Sequence, residues 1–479
     1  MLFHGPPNEL SWWLDQATPG AEPDAPSLTE TISADVCIVG GGYTGLWTAL
    51  RIKAVDPSAD VALIEAQTCG SGASGRNGGF MLSWWPKLAT LIKLFGTDEG
   101  VRLAAASTRS ILEIGAFCEE NGIDAHYRRD GWLWAATNQA QIGAWDEAVR
   151  VSGEHGYTPF AAWDSATVAE TAGSPTHVGG VFERDAATVQ PALLARGLRR
   201  VAIERGVRIY EHSPMTGWQD GSTVVVRTPH GSVRADKVVL ATNAWMTREP
   251  RIAKALIVVT SDMVVTDPLP PELSHVGPRG GIGVSDSRML VNYYHTTADG
   301  RLAFGHGGGN FGFGRRVGKQ FNGASARAEA VTKTMVQLYP ELSRDAVVRS
   351  WTGPIDRSIS SLPFFGQLGR TGRVLYGVGF SGNGVGPSHL AGKILASRAL
   401  GLDDEWGSGR IAKGPVGTYP PEPFKYIGGT TIGAVLEHKE KLEDQGRAPG
   451  PVTRALSKLA PPGLVPVRVN SKPDSVPNP

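Results

Sequence analysis

Two spacings of apolar residues recur along the chain, and each predicts a different kind of element. Asp35–Val39 and Val61–Ile64 are short apolar runs, typical of buried strands. Between them, Leu46–Ala54 carries apolar side chains at helical spacing. The order predicts a β-α-β unit near the start of the chain.

The same two spacings predict the remaining elements. Helices are predicted at Asp98–Asn121, Ala140–Gly153, Pro191–Gly206, Ser325–Leu338, Pro387–Leu400 and Thr431–Gln445. Strands are predicted at Gly131–Ala135, Gly179–Phe182, Val207–Tyr210, Thr223–Arg227, Lys237–Leu240, Leu256–Val265, Met289–His295, Arg301–Gly305 and Val374–Gly379. Trp351–Pro354 and Leu362–Gly366 are predicted to be turn-rich. Alternating strands and helices predict an α/β fold.

Composition excludes several classes of protein. A chain of 479 residues predicts two or three domains, and a net charge of +1 gives no argument for nucleic acid binding. The three cysteines do not form a disulfide framework or a metal-binding pattern, so no metal is expected. No apolar run is long enough to span a bilayer. A secretory signal begins with positively charged residues, and no Lys or Arg precedes Arg51. We therefore expect a soluble, cytoplasmic protein.

The turn after the first strand has the spacing of a dinucleotide-binding motif. Gly40, Gly42 and Gly45 follow the G-x-G-x-x-G pattern, and Glu65 ends the second strand twenty residues past the last glycine. Such glycines permit a tight turn, close approach to a pyrophosphate and close helix packing, while the acid accepts from ribose hydroxyls. The phosphates are then expected at the N-terminus of the helix.

Two further glycine-rich segments extend this site. Ser71–Gly79 places Ser, Arg and Asn among glycines, which favours backbone laid against a ligand. Gly379–Gly386 links a strand to a helix more than three hundred residues after the first glycine turn. Both turns contribute to one site only if the dinucleotide domain is discontinuous. Ala241–Trp245 follows another predicted strand, whose carboxyl end is expected to line the ligand crevice.

Several spaced motifs together resemble the D-amino-acid-oxidase-like FAD oxidoreductases, and among them most the γ-glutamylputrescine oxidase branch, whose relatives include glycine and sarcosine oxidases. The motifs are Asp35–Leu46, Gly72–Gly79, Val189–Pro191, Ala241–Ala244, Gly379–Val385 and, in the tail, Pro420–Pro423. The resemblance covers roughly residues 30 to 400. It implies a discontinuous FAD-binding Rossmann-type domain and a substrate domain built on a large mixed or antiparallel β-sheet.

The resemblance also implies a division of the chain and a set of cofactor contacts. FAD-binding segments are expected at 31–95, 186–250 and 346–405, and substrate-domain segments at 96–185 and 251–345, between an N-terminal arm (1–30) and a Pro-rich tail (406–479) with one amphipathic helix. Residues expected to contact FAD are Gly40, Gly42, Tyr43, Thr44, Gly45, Glu65, Ala66, Ser71, Gly72, Ala73, Ser74, Arg76, Asn77, Gly78, Gly79, Met215, Ala241, Thr242, Trp245, Gly379, Gly382, Asn383, Gly384 and Val385. With no Cys after Cys118 and no His in the loop before Gly79, FAD is expected to be non-covalent.

The implied reaction is hydride transfer from the carbon beside a neutral amine to flavin N5, hydrolysis of the imine, and reoxidation by O2 to give hydrogen peroxide. Candidate substrate-pocket residues are Tyr293, His306 and Trp351, with Tyr294 and His295 beside them, although each also suits a core position. Arg288 is expected to form an ion pair. Two alternatives stay open: a dehydrogenase of the same fold that passes electrons to a quinone or carrier, with the tail helix touching a membrane or partner, and a flavin-binding sensor without turnover. A homo-oligomer is also left open.

At the two chain ends, tryptophans 12 and 13 are expected to dock the N-terminal arm on the body, because exposed tryptophans are costly. The charged face of the tail helix, Glu437–Asp444, is expected to be solvated, and the chain from Pro461 to be loosely ordered.

Overall fold

The computed structural model describes residues 10–18 and 22–460. Its core contains two large sheets of eight strands each and a two-stranded sheet, surrounded by helices. This arrangement confirms the α/β class with large mixed sheets. The end predicted to be loosely ordered, from Pro461, lies outside the described residues.

The elements are as follows. The strands are β1 Thr31–Val39, β2 Val61–Ile64, β3 Phe80–Met81, β4 Trp132–Ala136, β5 Phe160–Trp163, β6 Gly179–Glu183, β7 Ala187–Thr188, β8 Arg208–Tyr210, β9 Gly217–Gln219, β10 Val224–Arg227, β11 Ser232–Leu240, β12 Leu256–Thr266, β13 Gly283–Asp286, β14 Asn292–Thr296, β15 Leu302–His306, β16 Val347–Ser358, β17 Phe364–Leu368 and β18 Val374–Val378. The helices are α1 Trp12–Gln16, α2 Tyr43–Val55, α3 Leu88–Phe95, α4 Thr97–Glu120, α5 Asp146–Glu154, α6 Ser165–Ala172, α7 Pro191–Glu204, α8 Pro250–Ala253, α9 Ala328–Leu338, α10 Val385–Leu400, α11 Phe424–Asp444 and α12 Pro451–Ser457.

The first large sheet is assembled from three distant parts of the chain. Its strand order is β17-β18-β11-β1-β2-β8, with β10 and β9 attached beside β11. The strands from β18 to β8 are parallel, and β17 is antiparallel to β18. Residues 36 to 39 of β1 are buried on both faces, as a central parallel strand requires. The sheet is therefore discontinuous in sequence, while the exact domain boundaries stay a prediction.

The second large sheet is mixed. Its order is β16-β12-β15-β14-β13-β4-β6-β5, in which β4 and β13 are parallel and the other neighbours antiparallel. The aromatic side chains of Tyr294 and Phe304 stack on one face of it, within a buried cluster that includes Tyr339.

Four predicted elements differ from the structure. Leu362–Gly366 was predicted to be turn-rich, but β17 begins at Phe364. Trp351–Pro354 lies inside β16, and the turn prediction was wrong because β16 is an edge strand, where a proline without an N–H is tolerated. Met289–Val291 precedes β14 as a loop, although its apolar character suggested a strand. Ala140–Gly153 contains a short 3₁₀ turn and then α5, rather than one helix.

Both chain ends contact the body of the protein. Trp12, Trp13 and Leu14 of α1 are buried, which confirms that the arm docks. The solvated-face prediction for the tail helix was wrong in part: Glu440 is buried, and its Oε1 accepts from the Leu290 backbone N–H at 3.1 Å. Across the described residues, no helix combines the length and the apolar character needed to cross a membrane.

Candidate functional site

A cavity of about 590 Å³ lies where the carboxyl end of the first sheet meets the second sheet. Its size is within the range of ligand pockets, roughly 300–1,000 Å³. Residues of β1, β2, β12, β14, β16 and the N-terminal ends of α2 and α10 line it. The cavity therefore extends from the predicted dinucleotide motif to the predicted substrate domain.

The turn between β1 and α2 forms one end of the cavity. Gly40 has a φ of +111°, and a Cβ there would lie 2.5 Å from the Ala241 carbonyl oxygen. A Cβ on Gly45 would lie 1.9 Å from the Gly40 carbonyl oxygen. Gly42 is the N-cap of α2 and supplies no side chain to cap it. Tyr43 N, the first N–H of α2, donates to Ser74 Oγ at 3.0 Å. The N–H groups that follow it in the first turn are left for a ligand in the cavity, where an anionic group is favoured.

Glu65 stands at the carboxyl end of β2 and lines the same end. Its Oε2 accepts from Gly41 N at 2.7 Å and its Oε1 from Gln67 N at 2.9 Å. Burial raises the pKa of this carboxyl above its usual value, and these backbone N–H donors oppose the rise. The backbone contacts fix the orientation of the carboxylate, so it is ready to accept from a ligand hydroxyl.

The loop after β2 is held by its own side chains. Arg76 Nε donates to the Ser71 carbonyl oxygen at 3.1 Å, and Asn77 Nδ2 donates to the carbonyl oxygens of Ala73 and Ser74. The Arg76 carbonyl oxygen accepts from Trp351 Nε1 at 2.9 Å. The loop thus lies along the cavity with most of its backbone conformation fixed.

A second helix N-terminus meets the cavity at its other end. Gly384 caps α10 without a side-chain hydrogen bond, and Gly382 to Val385 line the cavity. The Asn383 amide is buried, its Nδ2 donates to the Ser83 carbonyl oxygen, and its Oδ1 has no partner within the described residues. This end presents both free N–H groups and an unused acceptor to a ligand.

Beyond this helix, the second sheet contributes Tyr293 and Ser261. Tyr293 Oη lies 2.7 Å from Ser261 Oγ, which donates to the His306 carbonyl oxygen at 3.2 Å. Phe80 packs edge-on against Tyr293, with ring centroids 5.8 Å apart. Burial raises the pKa of Tyr293 well above its usual value, so the phenol keeps its proton.

Most of the predicted cofactor contacts line the cavity. These are Gly40, Gly42, Tyr43, Thr44, Glu65, Ala66, Gly72, Ala73, Ser74, Arg76, Asn77, Gly78, Met215, Ala241, Thr242, Trp245, Gly382, Asn383, Gly384 and Val385. Four predicted contacts are not among the lining residues: Gly45, Ser71, Gly79 and Gly379.

Of the predicted substrate-pocket residues, only Tyr293 lines the cavity. Trp351 is buried against Trp13 with its indole N–H on Arg76, and His306 Nδ1 lies 2.6 Å from Asn292 Oδ1. Tyr294 packs in the core of the second sheet, and His295 Nε2 lies 3.0 Å from the Gly78 carbonyl oxygen. Arg288 pairs with Asp286 and Asp444, as an ion-pair residue should.

Sequence reasoning missed several lining residues, among them Ser261, Ser285, Asp356 and Arg357. Ser261 lies in a strand that was predicted, and alternation along that strand could have indicated it. Asp356 and Arg357 lie in β16, which was not predicted, so no periodic signal was available for them.

The cavity has the features that a bound dinucleotide requires. Two helix N-termini whose N-cap glycines supply no side-chain cap face it. A Cβ on Gly42 would lie 2.9 Å from Ser74 Oγ, the acceptor of Tyr43 N, so glycine suits this position. Among the described residues, Ser285 Oγ and Asn322 Oδ1 are further buried oxygens that line the cavity without a partner. These features define a dinucleotide-binding α/β protein.

Comparisons with known proteins identify the family. The family model described as DAO, FAD dependent oxidoreductase, matches residues 35–398, so the chain belongs to this family. Its cofactor is FAD, and it is an enzyme of the FAD-dependent oxidoreductase class.

Two relatives and two solved structures illustrate the similarity. The chain is 30% identical over 378 residues to gamma-glutamylputrescine oxidoreductase of Escherichia coli (78% of this chain, 85% of the relative). It is 30% identical over 391 residues to the probable oxidoreductase OrdL of Haemophilus influenzae (79% and 86%). Glycine oxidase from Geobacillus kaustophilus superposes with a TM-score of 0.65 at 20% identity (81% of this chain, 100% of that chain). L-proline dehydrogenase from P. horikoshii superposes with a TM-score of 0.63 at 18% identity (80% of this chain, 96% of that chain). At such identities the structures establish the fold alone.

Proposed function

We propose that this protein oxidises the carbon–nitrogen bond of a small amine or amino acid and uses O2 as electron acceptor. Bound FAD would accept a hydride from the carbon beside the nitrogen, and O2 would then reoxidise it to give hydrogen peroxide. The observation that carries the proposal is the continuous cavity, which joins the dinucleotide end at Gly40 to a pocket at Tyr293.

The residues of the pocket would position the substrate. Because Ser261 donates to the His306 carbonyl oxygen, the hydroxyl of Tyr293 donates to Ser261. The lone pairs of the Tyr293 oxygen are then left to accept from a substrate N–H. Phe80 fixes the ring of Tyr293 from one side, so the acceptor has a defined place. Positioning of this kind is the main task of a protein whose cofactor performs the chemistry.

The charges of the lining favour a neutral amine. Among the described lining residues, the carboxylates are Glu65, Glu249 and Asp356. Glu65 is oriented by Gly41 and Gln67, Glu249 accepts from Trp218 Nε1 at 2.8 Å, and Asp356 accepts from backbone N–H groups. Asp262, whose charge acts on Tyr293, does not line the cavity and accepts from Ser325 Oγ at 2.7 Å. A substrate ammonium beside Tyr293 would therefore lack a lining carboxylate as counterion, and burial would favour loss of its proton. Hydride transfer requires that deprotonated form.

The names of the relatives support this substrate class. One is gamma-glutamylputrescine oxidoreductase, and others, at lower identity, are sarcosine oxidase subunit beta of Rhizobium meliloti and glycine oxidase of Geobacillus kaustophilus. Each of these names refers to an amine or amino acid. The cytoplasmic location and a homo-oligomer stay predictions.

We further propose that FAD is bound without a covalent link and is held by the predicted contacts that line the cavity. The three cysteines are buried, and Cys69, the one nearest the glycine turns, is not among the lining residues. Flavin should therefore appear in the supernatant after acid precipitation of the protein.

An anaerobic substrate screen tests the reaction. The holoprotein would be mixed with polyamines, γ-glutamylated amines, aminophosphonates, and N-methyl and small amino acids, while flavin absorbance is followed. We expect bleaching with at least one compound and stoichiometric peroxide after air is admitted. Bleaching without peroxide would contradict the oxidase assignment and indicate a dehydrogenase. A flavin that dithionite bleaches but no amine or amino acid does would contradict amine oxidation.

A further inference from the structure

Asp356 is a buried carboxylate in β16 for which the reaction described above has no use. It is 1% exposed and lines the cavity. Its Oδ2 accepts from Gly379 N at 2.6 Å, and its Oδ1 accepts from Ser381 N at 3.4 Å. The carboxylate thus connects an edge strand of the second sheet to the loop that follows β18.

This loop leads directly into the N-terminus of α10. Gly379, Ser381 and Gly382 all have positive φ values, of 90°, 58° and 91°. The Ser381 hydroxyl donates to the Gly379 carbonyl oxygen at 3.0 Å and accepts from Ser358 N at 3.1 Å. The unusual conformation of the non-glycine Ser381 needs such support. Asp356 therefore positions the turn that brings the free N–H groups of α10 to the cavity.

Two helix N-termini face the cavity, and FAD carries negative charge at two places: always on its pyrophosphate, and on its flavin ring when that ring is reduced. The turn at Gly40 and Gly42, with Glu65 beside it, has the form that receives a pyrophosphate. The N-terminus of α10 is then left for the flavin ring, which becomes negative when it accepts a hydride. Asp356 lies at this second end, so its own negative charge opposes the one that reduction creates.

The carboxylate is poised to change its protonation state. Burial raises the pKa of Asp356 to about 6, while the backbone N–H groups of Gly379 and Ser381 oppose that rise. A new negative charge nearby raises the pKa further. Charged side chains near β16 and the cavity include Arg76, Arg248, Glu249 and Asp262, and Arg357 follows Asp356 on β16 itself. Two more buried groups titrate in the same pH range: burial, with Arg357 nearby, lowers the pKa of Lys87 to about 7, and burial raises the pKa of Glu183, beside Ser83, to about 7. Any test must distinguish Asp356 from the acids among them.

We propose that Asp356 binds one proton from solvent each time the bound FAD is reduced by two electrons. In the enzymatic reaction, the hydride taken from the substrate carries one proton and two electrons and adds one negative charge to the cofactor. The proton taken up by Asp356 removes one negative charge from the protein. The net charge at this end of the cavity then stays constant, and reduction is favoured by that compensation. The inference depends on FAD as cofactor and not on the identity of the amine.

Spectroelectrochemical titration of the flavin between pH 5 and 9 tests the proposal without any amine. For a two-electron couple, a tenfold change in proton concentration shifts the potential by about 30 mV per proton bound. The midpoint potential of the wild-type flavin should fall by about 60 mV per pH unit just above pH 6, where two protons are bound on reduction. At lower pH, where Asp356 is already protonated, it should fall by about 30 mV per unit. Asp356→Asn should lose about 30 mV per unit throughout, because its amide does not titrate. Glu249→Gln, which changes another carboxylate of the same cavity, should follow wild type.

A wild-type slope of one proton over the whole range would overturn the proposal, and so would a two-proton slope retained by Asp356→Asn. If Asp356→Asn does not retain FAD, Asp356→Glu replaces it, and infrared spectra decide. The reduced-minus-oxidised spectrum of wild type at pH 7 should contain a new band of a protonated carboxyl group, which should shift in Asp356→Glu and stay unchanged in Glu183→Gln. Absence of that band, or a band that Asp356→Glu leaves unshifted, would overturn the proposal. An unsuccessful amine screen would leave each of these results intact.

Discussion

Replacement of Ser11 by Ala should weaken both the fold and the cofactor site, because this side chain joins the N-terminal arm to the glycine loop. Ser11 is fully buried, and its Oγ donates to the Gly75 carbonyl oxygen at 2.5 Å. The same Oγ accepts from Leu14 N at 3.1 Å as the N-cap of α1. One hydroxyl thus makes two hydrogen bonds, one of them to a segment 64 residues away.

The expected cost is the sum of two separate losses. Loss of an N-cap hydroxyl costs about 1 kcal/mol, and a buried carbonyl left without a donor costs about 1–3 kcal/mol. Ser11→Ala should therefore lower the free energy of unfolding by about 2–4 kcal/mol. If about 1.4 kcal/mol of this acts on the loop conformation that FAD binds, the dissociation constant of FAD rises about tenfold.

Thr18→Ala provides the matched control. Thr18 is exposed and makes its hydrogen bond within the arm, to the Leu14 carbonyl oxygen at 2.8 Å. Its loss should cost about 0.5 kcal/mol or less. Unfolding would be followed in denaturant for apoprotein and holoprotein, and FAD affinity by fluorescence. If both variants unfold at the same denaturant concentration, the arm is not docked as described. If Ser11→Ala is destabilised but binds FAD as wild type does, the arm supports the fold and not the loop.

Three further predictions concern the cavity and its surroundings. Gly40→Ala should destabilise the apoprotein by about 1–3 kcal/mol, because position 40 has a positive φ and the new Cβ would clash with the Ala241 carbonyl oxygen. Gly42→Ala should fold, since the Ser74 side chain can rotate away from the new Cβ, but it should bind FAD at least tenfold more weakly. Glu183 is buried with its pKa raised to about 7, so its contribution to stability is complete below pH 4.5 and is lost as the pH rises through 7. Relative to wild type, Glu183→Gln should gain about 2.5 kcal/mol of stability between pH 5 and pH 8. Equal pH profiles of the two proteins in thermal melts would contradict this. Tyr293→Phe should reduce anaerobic flavin bleaching by an active amine about tenfold, the value of one hydrogen bond, with the oxidised flavin spectrum unchanged; an unaltered rate would show that the hydroxyl does not position the substrate.

The dinucleotide end of the site was predictable because its chemistry is local in sequence. Gly40, Gly42 and Gly45 belong to one turn, and Glu65 ends the next strand, so one β-α-β unit contains the whole pattern. The loop from Ser71 to Gly79 follows directly and is held by its own Arg76 and Asn77. Distant contacts, such as those of Ser11 with Gly75 and Trp351 with Arg76, support these groups, but the order of the groups is already contained in one stretch of sequence.

The substrate end depends on contacts between distant segments, and there the sequence was a weaker guide. Trp351 was a plausible pocket residue, yet its indole packs against Trp13 and supports the loop from behind. Asp356 follows Gly353 and Pro354, which suggested a turn, whereas pairing of Pro354 with Thr260 makes the segment a strand. Only the sheet order shows that this strand is at an edge, and so that proline fits.

The two chain ends each support a different wall of the cavity. The arm contacts the glycine loop through Ser11 and Gly75, on the side where FAD is proposed to bind. The tail helix contacts the loop before β14, because Glu440 accepts from Leu290 N and Leu436 packs in the same buried cluster as Leu290. The neighbours of Leu290, Met289 and Val291, line the cavity on the side of Tyr293. The tail helix is thereby covered by the protein itself at Leu436, while Phe424 and Ile427 near its start are exposed. A contact of this helix with a membrane or partner stays a prediction. Changes in the arm should then alter FAD affinity first, and changes at Glu440 should alter substrate selection first, although none of the described residues of either segment lines the cavity.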